Sequence, residues 1–297
     1  MPTAQLIDGK AIAEQIHSET GARVQALAAR GVTPGLIFIR VGDDPASQAY
    51  VRMKEKKAAS LGIRSQTLVY PGDFPEAELL AKIRTLNADV DVHGILVQAP
   101  LPSHISETLV FSTVAPEKDV DGFNPVNVGK LLLGAEDGFR SCTPAGVHEL
   151  LIRSGIPTAG AEVAILGRGN IVGKPLAAIL LQKAKHANAT VTLLHSRSRN
   201  IAEHCRRADI VVAAMGQAHF VKADMVKPGA TVIDVGVNRI DDPSDKRGYR
   251  LVGDVEFDAL LEVAGHITPN PGGVGPMTIA MLLSNTVLAA EKLAGAR

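Results

Sequence analysis

Short apolar runs alternate with amphipathic segments along almost the whole chain. The runs at 35–42, 94–98, 163–166 and 231–235 have the length of buried strands, and segments with helical periodicity separate them. Such alternation is typical of parallel sheets covered by helices. The sequence therefore predicts an α/β fold with two three-layer domains. The second is expected to be a Rossmann-like, doubly wound parallel sheet, with an active-site cleft between the domains.

A segment rich in Asp, Gly, Pro and Asn over residues 115–145 separates the two halves of the chain. A length of 297 residues also fits two domains. We therefore expect a first domain over residues 1–140 and a second over residues 141–275. The final helix, 276–297, is expected to pack back on the first domain, which has few strands of its own.

Charge and aromatic content restrict the function. Lys plus Arg and Asp plus Glu number 31 each, so no net charge remains to neutralise phosphates. Aromatic residues make up 3% of the chain, too few for platforms on which single-stranded bases stack. We expect no nucleic-acid partner, and an enzyme that acts on a small molecule.

The cysteine count and the lack of targeting signals indicate the compartment. Cys142 and Cys205 are too few for a disulfide framework, and no HExxH or CxxC pattern indicates a metal site. No signal peptide is evident, and no run approaches the roughly 18 apolar residues of a membrane span. The sequence predicts a cytoplasmic protein with neither a bound metal nor a membrane segment.

A glycine-containing turn joins the strand at 163–166 to the following helix. Glycine permits a tight turn and a close approach of the backbone to a pyrophosphate, and the helix N-terminus supplies free N–H groups. A tight turn without a ligand is the alternative, because the glycine spacing is neither that of a P-loop nor a plain GxGxxG. The candidate dinucleotide contacts are Gly167, Arg168, Gly169, Ile171, Val172 and Gly173.

The end of the next strand indicates which dinucleotide binds. NAD sites usually place a carboxylate about 20 residues after the glycines, on the ribose hydroxyl. Here the strand at 190–194 is followed by His195-Ser196-Arg197-Ser198-Arg199, with no carboxylate. Ser196 and Arg197 suit a 2′-phosphate, which favours NADP, whereas Arg199 is nearly as well explained by a solvated turn.

Four polar residues of the first half form a candidate active site. Tyr50 and Lys54 lie four residues apart on a predicted helix, so both project from one face, although a lysine-rich face is more often simply solvated. Gln98 ends a buried strand, where it either bonds Lys54 and a substrate amide or merely closes the strand. Asp121 either accepts hydrogen bonds from an amino-pyrimidine ring or forms an Asx-type turn.

A loop rich in proline and glycine precedes the last helix. Pro271, Gly272 and Gly273 lie at its centre, in a stretch with few Cβ atoms that ends at a helix N-terminus. Such a loop can lie close against a cofactor or a substrate, and an elaborate turn without a ligand is the alternative.

Taken together, these motifs resemble those of the bifunctional methylenetetrahydrofolate dehydrogenase/methenyltetrahydrofolate cyclohydrolase family. The resemblance extends over essentially the whole chain. It rests on the strings Tyr50-Val-x-x-Lys54, Gly94-Ile-Leu-Val-Gln98-x-Pro-Leu-Pro102, Lys118-Asp-Val-Asp121-Gly-Phe-Asn124, Cys142-Thr-Pro-x-Gly146, Gly167-Arg168, Ile171-Val-Gly-Lys-Pro175, Val232-Ile-Asp-Val-Gly236 and Pro271-Gly-Gly-Val-Gly-Pro-Met-Thr278.

The resemblance implies two reactions at one site, in a folate-binding first domain that works with an NADP-binding second domain. Oxidation of 5,10-methylenetetrahydrofolate by NADP gives 5,10-methenyltetrahydrofolate, and hydrolysis gives 10-formyltetrahydrofolate. It also implies a homodimer. A plain dehydrogenase that releases methenyl-folate is the enzymatic alternative, and a dinucleotide-sensing module is the non-enzymatic one.

The resemblance also implies roles for individual residues. Lys54 is the central catalytic residue, Gln98 tunes it, Tyr50 lines the folate site and Asp121 anchors the pterin. Pro271, Gly272 and Gly273 are expected to contact the substrate; further cofactor contacts are expected at Gly216, Val237 and Thr278. A lysine that acts as a base near neutrality needs a lowered pKa, and we expect burial, the cationic substrate and Lys57 to lower it.

Five positions depart from the family pattern, three of which are Ala99, Ser141 and Ala218 in place of the usual leucine, proline and proline. Gly169 stands where the family usually has serine, which removes a hydroxyl that could help to hold the 2′-phosphate. Asn270 replaces a usual valine beside the glycine-rich loop, where it could alter the folate or nicotinamide pocket.

Overall fold

The computed structural model describes residues 3–245 and 248–295, and its helices and strands fall into two compact units. We call Met1–Ala13 with Thr143–Thr278 the large-sheet unit, and Glu14–Cys142 with Ile279–Arg297 the small-sheet unit. The predicted start of the first domain at residue 1 and the predicted end of the last helix at residue 297 lie outside the described residues.

The elements alternate between strand and helix over most of the chain, as the sequence predicts. In order they are β1 (Gln5–Leu6), α1 (Gly9–Ala28), β2 (Gly35–Val41), α2 (Pro45–Ser60), β3 (Arg64–Tyr70), α3 (Glu76–Ala88), β4 (Gly94–Val97), α4 (Glu107–Thr113), α5 (Pro125–Leu133), α6 (Cys142–Arg153), β5 (Glu162–Leu166), α7 (Gly173–Leu180), β6 (Thr190–Leu194), α8 (Ile201–Arg207), β7 (Ile210–Ala213), β8 (Thr231–Asp234), β9 (Asn238–Asp241), β10 (Tyr249–Val252), α9 (Phe257–Leu260), β11 (His266–Ile267) and α10 (Val274–Gly295). A 3-10 turn lies at Ala223–Met225.

The small-sheet unit is built on a parallel sheet. Among the described residues it contains three strands in the order β3-β2-β4, with Ile37 of β2 opposite Gln66 on one side and Ile95 on the other. Every residue of β2 and of β4 is buried. Strands that are covered on both faces read as continuous apolar runs, which is why the sequence identifies them directly.

The last helix supplies much of the core of the small-sheet unit. Leu283 and Val287 of α10 are fully buried in one cluster with Phe38 of β2 and Leu96 of β4. An 18-residue window of α10 reaches a mean hydropathy of 1.2, which is long and apolar enough by composition to cross a membrane. However, 56% of that window is buried inside the protein. Polar residues interrupt its apolar run, so a count of uninterrupted apolar residues does not identify it.

The large-sheet unit has the predicted Rossmann-like parallel sheet. Within residues 3–245 and 248–295 its six strands follow the order β1-β11-β8-β7-β5-β6, and all neighbours are parallel. The chain runs outward from β5 to β6 on one side and to β7 and β8 on the other. Ligands of such sheets bind outside the carboxyl ends of the strands, at the point where the direction reverses. Here that point lies beside Gly167, directly after β5.

The division of the chain differs from the predicted boundaries at the N-terminus. We expected residues 1–140 to form one domain, whereas the described residues 3–13 belong to the large-sheet unit. The cause is β1, which pairs in parallel with β11. A strand of two residues is too short to produce a periodic pattern. The predicted α/β class, with two units and a parallel Rossmann-like sheet, is confirmed.

Candidate active site

Helix α2 positions Tyr50 and Lys54 in the small-sheet unit. It begins with Pro45 after Asp44, whose carboxylate accepts the backbone N–H of Ser47 at 2.7 Å as an N-cap. One turn separates Tyr50 from Lys54, and the lysine Nζ lies 4.4 Å from the centre of the tyrosine ring. Lys54 is only 4% exposed, so it does not belong to a solvated lysine face.

The amide of Gln98 is held so that its oxygen faces Lys54. Gln98 directly follows β4, and its backbone N–H donates to the carbonyl of Ile39 at 2.8 Å. Its side-chain Nε2 donates to the carbonyl of Ala99 at 2.7 Å, which leaves Oε1 to accept a hydrogen bond from Lys54 Nζ at 3.1 Å. The sequence left two alternatives for Gln98, a residue that closes the strand or a hydrogen-bond partner of Lys54. In the structure Gln98 does both.

Burial sets the proton affinity of Lys54. Desolvation is the main cause that lowers the pKa of its ammonium, and the nearby Asp121 and Cys142 oppose it. The expected contribution of Lys57 is not found, because Lys57 Nζ pairs with Glu14 at 2.8 Å. We expected Lys57 to lower the pKa of Lys54, because the sequence does not show that the Glu14 carboxylate of α1 pairs with Lys57.

Asp121 lies near Lys54, and burial raises the pKa of its carboxyl, whereas Lys54 and the Cys142 thiol lower it. The backbone that follows Asp121 is held by Asp119, two residues earlier, through N–H groups four and five residues along the chain and not through an Asx turn. The Asp119 carboxylate accepts the backbone N–H groups of Phe123 at 3.1 Å and of Asn124 at 2.8 Å. Burial raises the pKa of Asp119 to about 6. The Asp121 carboxyl itself interacts with Lys54 and with the Cys142 thiol.

Two distant residues hold the backbone next to Asp121. Asn285 of α10 donates from Nδ2 to the carbonyls of Val120 at 2.9 Å and of Arg140 at 3.1 Å. The Cys142 thiol donates to the same Val120 carbonyl at 3.3 Å. The sequence did not identify Asn285, because it lies 165 residues from Val120 and belongs to no recognisable motif.

The turn between β5 and α7 has the close approaches that a dinucleotide site requires. Gly167 has a φ of +124°, and a Cβ there would lie 2.1 Å from the carbonyl oxygen of Ala214. A Cβ at Gly173 would lie 1.8 Å from the Gly167 oxygen. Gly169 has open space around it. Val172, the residue before α7, makes no side-chain cap, and the backbone N–H of Lys174 in the first turn donates to the Gly169 carbonyl at 3.1 Å.

The candidate 2′-phosphate contacts lie after β6. Ser196 and Arg197 are exposed, in a turn where the Ser198 hydroxyl accepts the His195 N–H at 3.0 Å. The Arg197 N–H donates to His195 Nδ1 at 3.2 Å. Among the described residues, the side chains of Ser196 and Arg197 have no hydrogen-bond or ion-pair partner. Both are therefore available to a phosphate.

The other predicted cofactor contacts also lie in the large-sheet unit. Ile171 is 44% exposed in the turn before α7, and Val237 is 68% exposed just after β8. Thr278 shares a hydrogen bond of 2.9 Å with Thr143, oxygen to oxygen. Gly216 follows β7 and has a φ of +67°. These residues belong to different segments of the large-sheet unit, and no spacing pattern connects them.

The glycine-rich loop before α10 is tightly packed within the large-sheet unit. Gly272 has a φ of +113°, and a Cβ at Gly273 would lie 2.6 Å from the Pro269 oxygen. Asn270 donates from its side chain to the carbonyl of Gly236. Asn270, which departs from the family pattern, thus fastens this loop to the turn after β8.

Comparison with known proteins identifies the family to which the chain belongs. Residues 7–121 match the catalytic domain of tetrahydrofolate dehydrogenase/cyclohydrolase, and residues 141–294 match its NAD(P)-binding domain. The chain belongs to the tetrahydrofolate dehydrogenase/cyclohydrolase family. The suspected resemblance is therefore confirmed.

Relatives and solved structures agree with this membership. The chain is 55% identical to the bifunctional protein FolD of Prosthecochloris aestuarii, over 95% of this chain and 96% of the relative. It is similar to the Trypanosoma brucei methylenetetrahydrofolate dehydrogenase-cyclohydrolase complexed with NADP and an inhibitor, with 43% identity, a TM-score of 0.93 and coverage of 98% and 99%. The Campylobacter jejuni bifunctional enzyme FolD gives 45% identity, a TM-score of 0.92 and coverage of 97% and 99%.

Proposed function

We propose that this member of the tetrahydrofolate dehydrogenase/cyclohydrolase family oxidises 5,10-methylenetetrahydrofolate with NADP and hydrolyses the 5,10-methenyl product to 10-formyltetrahydrofolate. The observation that carries the proposal is the buried Lys54, which contacts both Gln98 and Tyr50. The bifunctional names of relatives that match nearly the whole chain support it.

The hydrolytic step needs a base, and Lys54 is proposed to supply it. Because burial lowers its pKa, Lys54 reaches the neutral form, which carries a lone pair, at a lower pH than an exposed lysine does. Water adds its oxygen to the methenyl carbon and gives a proton to Nζ. The new hydroxyl then loses its proton and becomes the formyl oxygen as the bond between that carbon and N5 breaks. Of the two protons that came from water, one ends on N5 and the other leaves to solvent, so Nζ is neutral again.

Gln98, Tyr50 and Asp121 are proposed to orient the reactants. Gln98 accepts a hydrogen bond from Nζ at 3.1 Å, which fixes the direction of the lysine lone pair. The Tyr50 ring provides a flat surface beside Nζ on which the folate can stack. A protonated or ionised Asp121 carboxyl can hydrogen-bond the amino-pyrimidine part of the pterin, which anchors the substrate.

NADP, when bound, accepts the hydride in the oxidative reaction. The glycine turn at 167–173, which leads into α7, is proposed to hold its pyrophosphate, and Ser196 with Arg197 its 2′-phosphate. Gly216, Val237 and Thr278 are proposed as further contacts. Pro271, Gly272 and Gly273 remain proposed substrate contacts.

A coupled assay tests the proposed function. Purified enzyme is mixed with methylenetetrahydrofolate and NADP, and NADPH and methenyl-folate are followed together. NADPH should accumulate while methenyl-folate stays low and 10-formyltetrahydrofolate appears. Persistent accumulation of methenyl-folate would identify a plain dehydrogenase, and no NADPH with any reduced folate would contradict the proposal.

Removing the Arg197 guanidinium should weaken the preference for NADP. Arg197→Ala is expected to lower kcat/KM for NADP by about tenfold and to leave kcat/KM for NAD unchanged, because only NADP carries the 2′-phosphate. The ratio of the two values measures the effect. Arg199→Ala, an exposed arginine of the same turn, is the matched control, and an equal loss in both variants would show that only overall charge matters.

We also propose that the enzyme is a cytoplasmic homodimer. Both cysteines, Cys142 and Cys205, are buried and free, as expected in a reducing compartment. The dimer rests on the family resemblance alone. Sedimentation equilibrium of the full chain would give about twice the monomer mass of 31.2 kDa, and a mass of one chain would refute the dimer.

A further inference from the structure

The buried carboxylate of Asp254, in the large-sheet unit, holds the turn at 215–217. No sequence pattern connects the two. Asp254 is 0% exposed. One of its oxygens accepts the backbone N–H groups of Met215 at 2.7 Å and of Gly216 at 2.9 Å, and the other accepts that of Gln217 at 2.9 Å. Three consecutive N–H groups after β7 thus converge on one side chain.

The same carboxylate also fastens the turn after β8. Asn238 donates from Nδ2 to Asp254 Oδ1 at 2.8 Å, and a Cβ at Gly236 would lie only 2.1 Å from that oxygen. The backbone N–H of Asp254 donates to Asp234 Oδ1 at 2.9 Å. Asp254 therefore connects the carboxyl ends of β7 and β8, the edge of the sheet at which ligands bind.

The donor set requires a carboxylate in this place. An ionised carboxylate only accepts hydrogen bonds and has room for about four donors, which is the number present here. An asparagine would direct its own N–H groups at one or two of these donors, and buried donors left without an acceptor are costly. Asp254→Asn keeps the volume of the side chain, but its amide cannot accept hydrogen bonds from all four donors.

We propose that Asp254 is a positioning residue for NADP. It holds the turns at 215–217 and 236–238 in the conformation in which Gly216 and Val237 contact the cofactor. The inference rests on the proposed function, because Gly216 and Val237 are cofactor contacts only under that proposal.

Asp254→Asn separates this role from a general loss of structure. The Kd for NADPH, measured by its fluorescence on the full chain, and the KM for NADP should both rise by about tenfold or more. Hydrolysis of methenyltetrahydrofolate should stay within about twofold of wild type, since it uses Lys54 and no nucleotide. Asp258→Asn, an exposed aspartate of the same unit, is the matched control with no change in either value.

Two results would overturn the proposal: an unchanged Kd for NADPH in folded Asp254→Asn, or a parallel loss of hydrolysis and NADPH binding. If that variant does not fold, Asn238→Ala removes one donor and should raise the Kd about threefold. An unchanged Kd would then refute the proposal. A wild-type enzyme that binds no NADP refutes the proposed function instead, so the two failures are distinguishable.

Discussion

Replacing Lys54 with methionine should abolish the cyclohydrolase reaction, with a fall in kcat of about 10²–10⁴-fold, while NADP binding stays unchanged. Methionine keeps the length and the apolar stem of the side chain, so it fits a position that is 4% exposed. It cannot take a proton from water, and general-base catalysis contributes a factor of this size. Hydrolysis of methenyltetrahydrofolate, followed by its absorbance, measures the effect. NADPH titration tests the unchanged binding.

Two further variants make the Lys54 prediction specific. Lys56→Met makes the same change on an exposed lysine of the same helix, and hydrolysis should remain at the wild-type level. Lys54→Arg keeps the positive charge but cannot release a proton near neutral pH, so it should be as inactive as methionine. Full hydrolysis by Lys54→Met would disprove the assignment.

The pH profile provides an independent measure of Lys54. Activity should rise with pH as the ammonium loses its proton, and the apparent pKa should lie below that of an ordinary lysine because burial disfavours the charged form. Gln98→Ala removes the acceptor at 3.1 Å and should shift this profile. A profile identical to wild type would show that Gln98 does not tune Lys54.

The sequence predicted those parts of the molecule that local patterns determine. Continuous apolar runs revealed β2 and β4 because both are buried on two faces. The four-residue spacing of Tyr50 and Lys54 placed the ring beside the amine, since that spacing is one helical turn. The end of a buried strand indicated Gln98 as a possible partner of Lys54 and an acidic loop indicated Asp121, and the family resemblance then implied their roles.

What the sequence missed depends on contacts between distant segments. Asn285 reaches Val120 across 165 residues, and Asp254 binds a turn that lies 37 to 39 residues earlier. A single buried polar residue produces no periodicity, so neither was recognisable. The prediction that Lys57 lowers the pKa of Lys54 was wrong for the same reason. Its partner Glu14 lies 43 residues away on another helix.

The glycine turn shows the same limit, because its glycines differ in ways that spacing does not reveal. The sequence emphasised Gly167 and Gly169 as the turn and the approach to pyrophosphate. The structure adds that Gly173 is a close contact within the protein, whereas Gly169 has open space on every side. Glycine at position 169 is thus not required by the fold, which is consistent with the serine that the family usually has there.

Gly173→Ala should therefore strongly destabilise the large-sheet unit. The new Cβ would lie 1.8 Å from the Gly167 oxygen and 3.1 Å from the Arg168 Cα. Both are backbone atoms, so the start of α7 must move away from the turn after β5. We expect a loss of about 3 kcal/mol in the free energy of unfolding, at the upper end of overpacking costs. Urea denaturation of the full chain measures it.

Gly169→Ala makes the same substitution four residues earlier and separates steric from general effects. With no atom within 4 Å of its Cβ and no left-handed φ, it should change the free energy of unfolding by less than about 0.5 kcal/mol. Equal losses in the two variants would show that the turn tolerates no side chain anywhere. An unchanged urea midpoint for Gly173→Ala would show that α7 shifts freely, and a turn that shifts freely could not preorganise a pyrophosphate site.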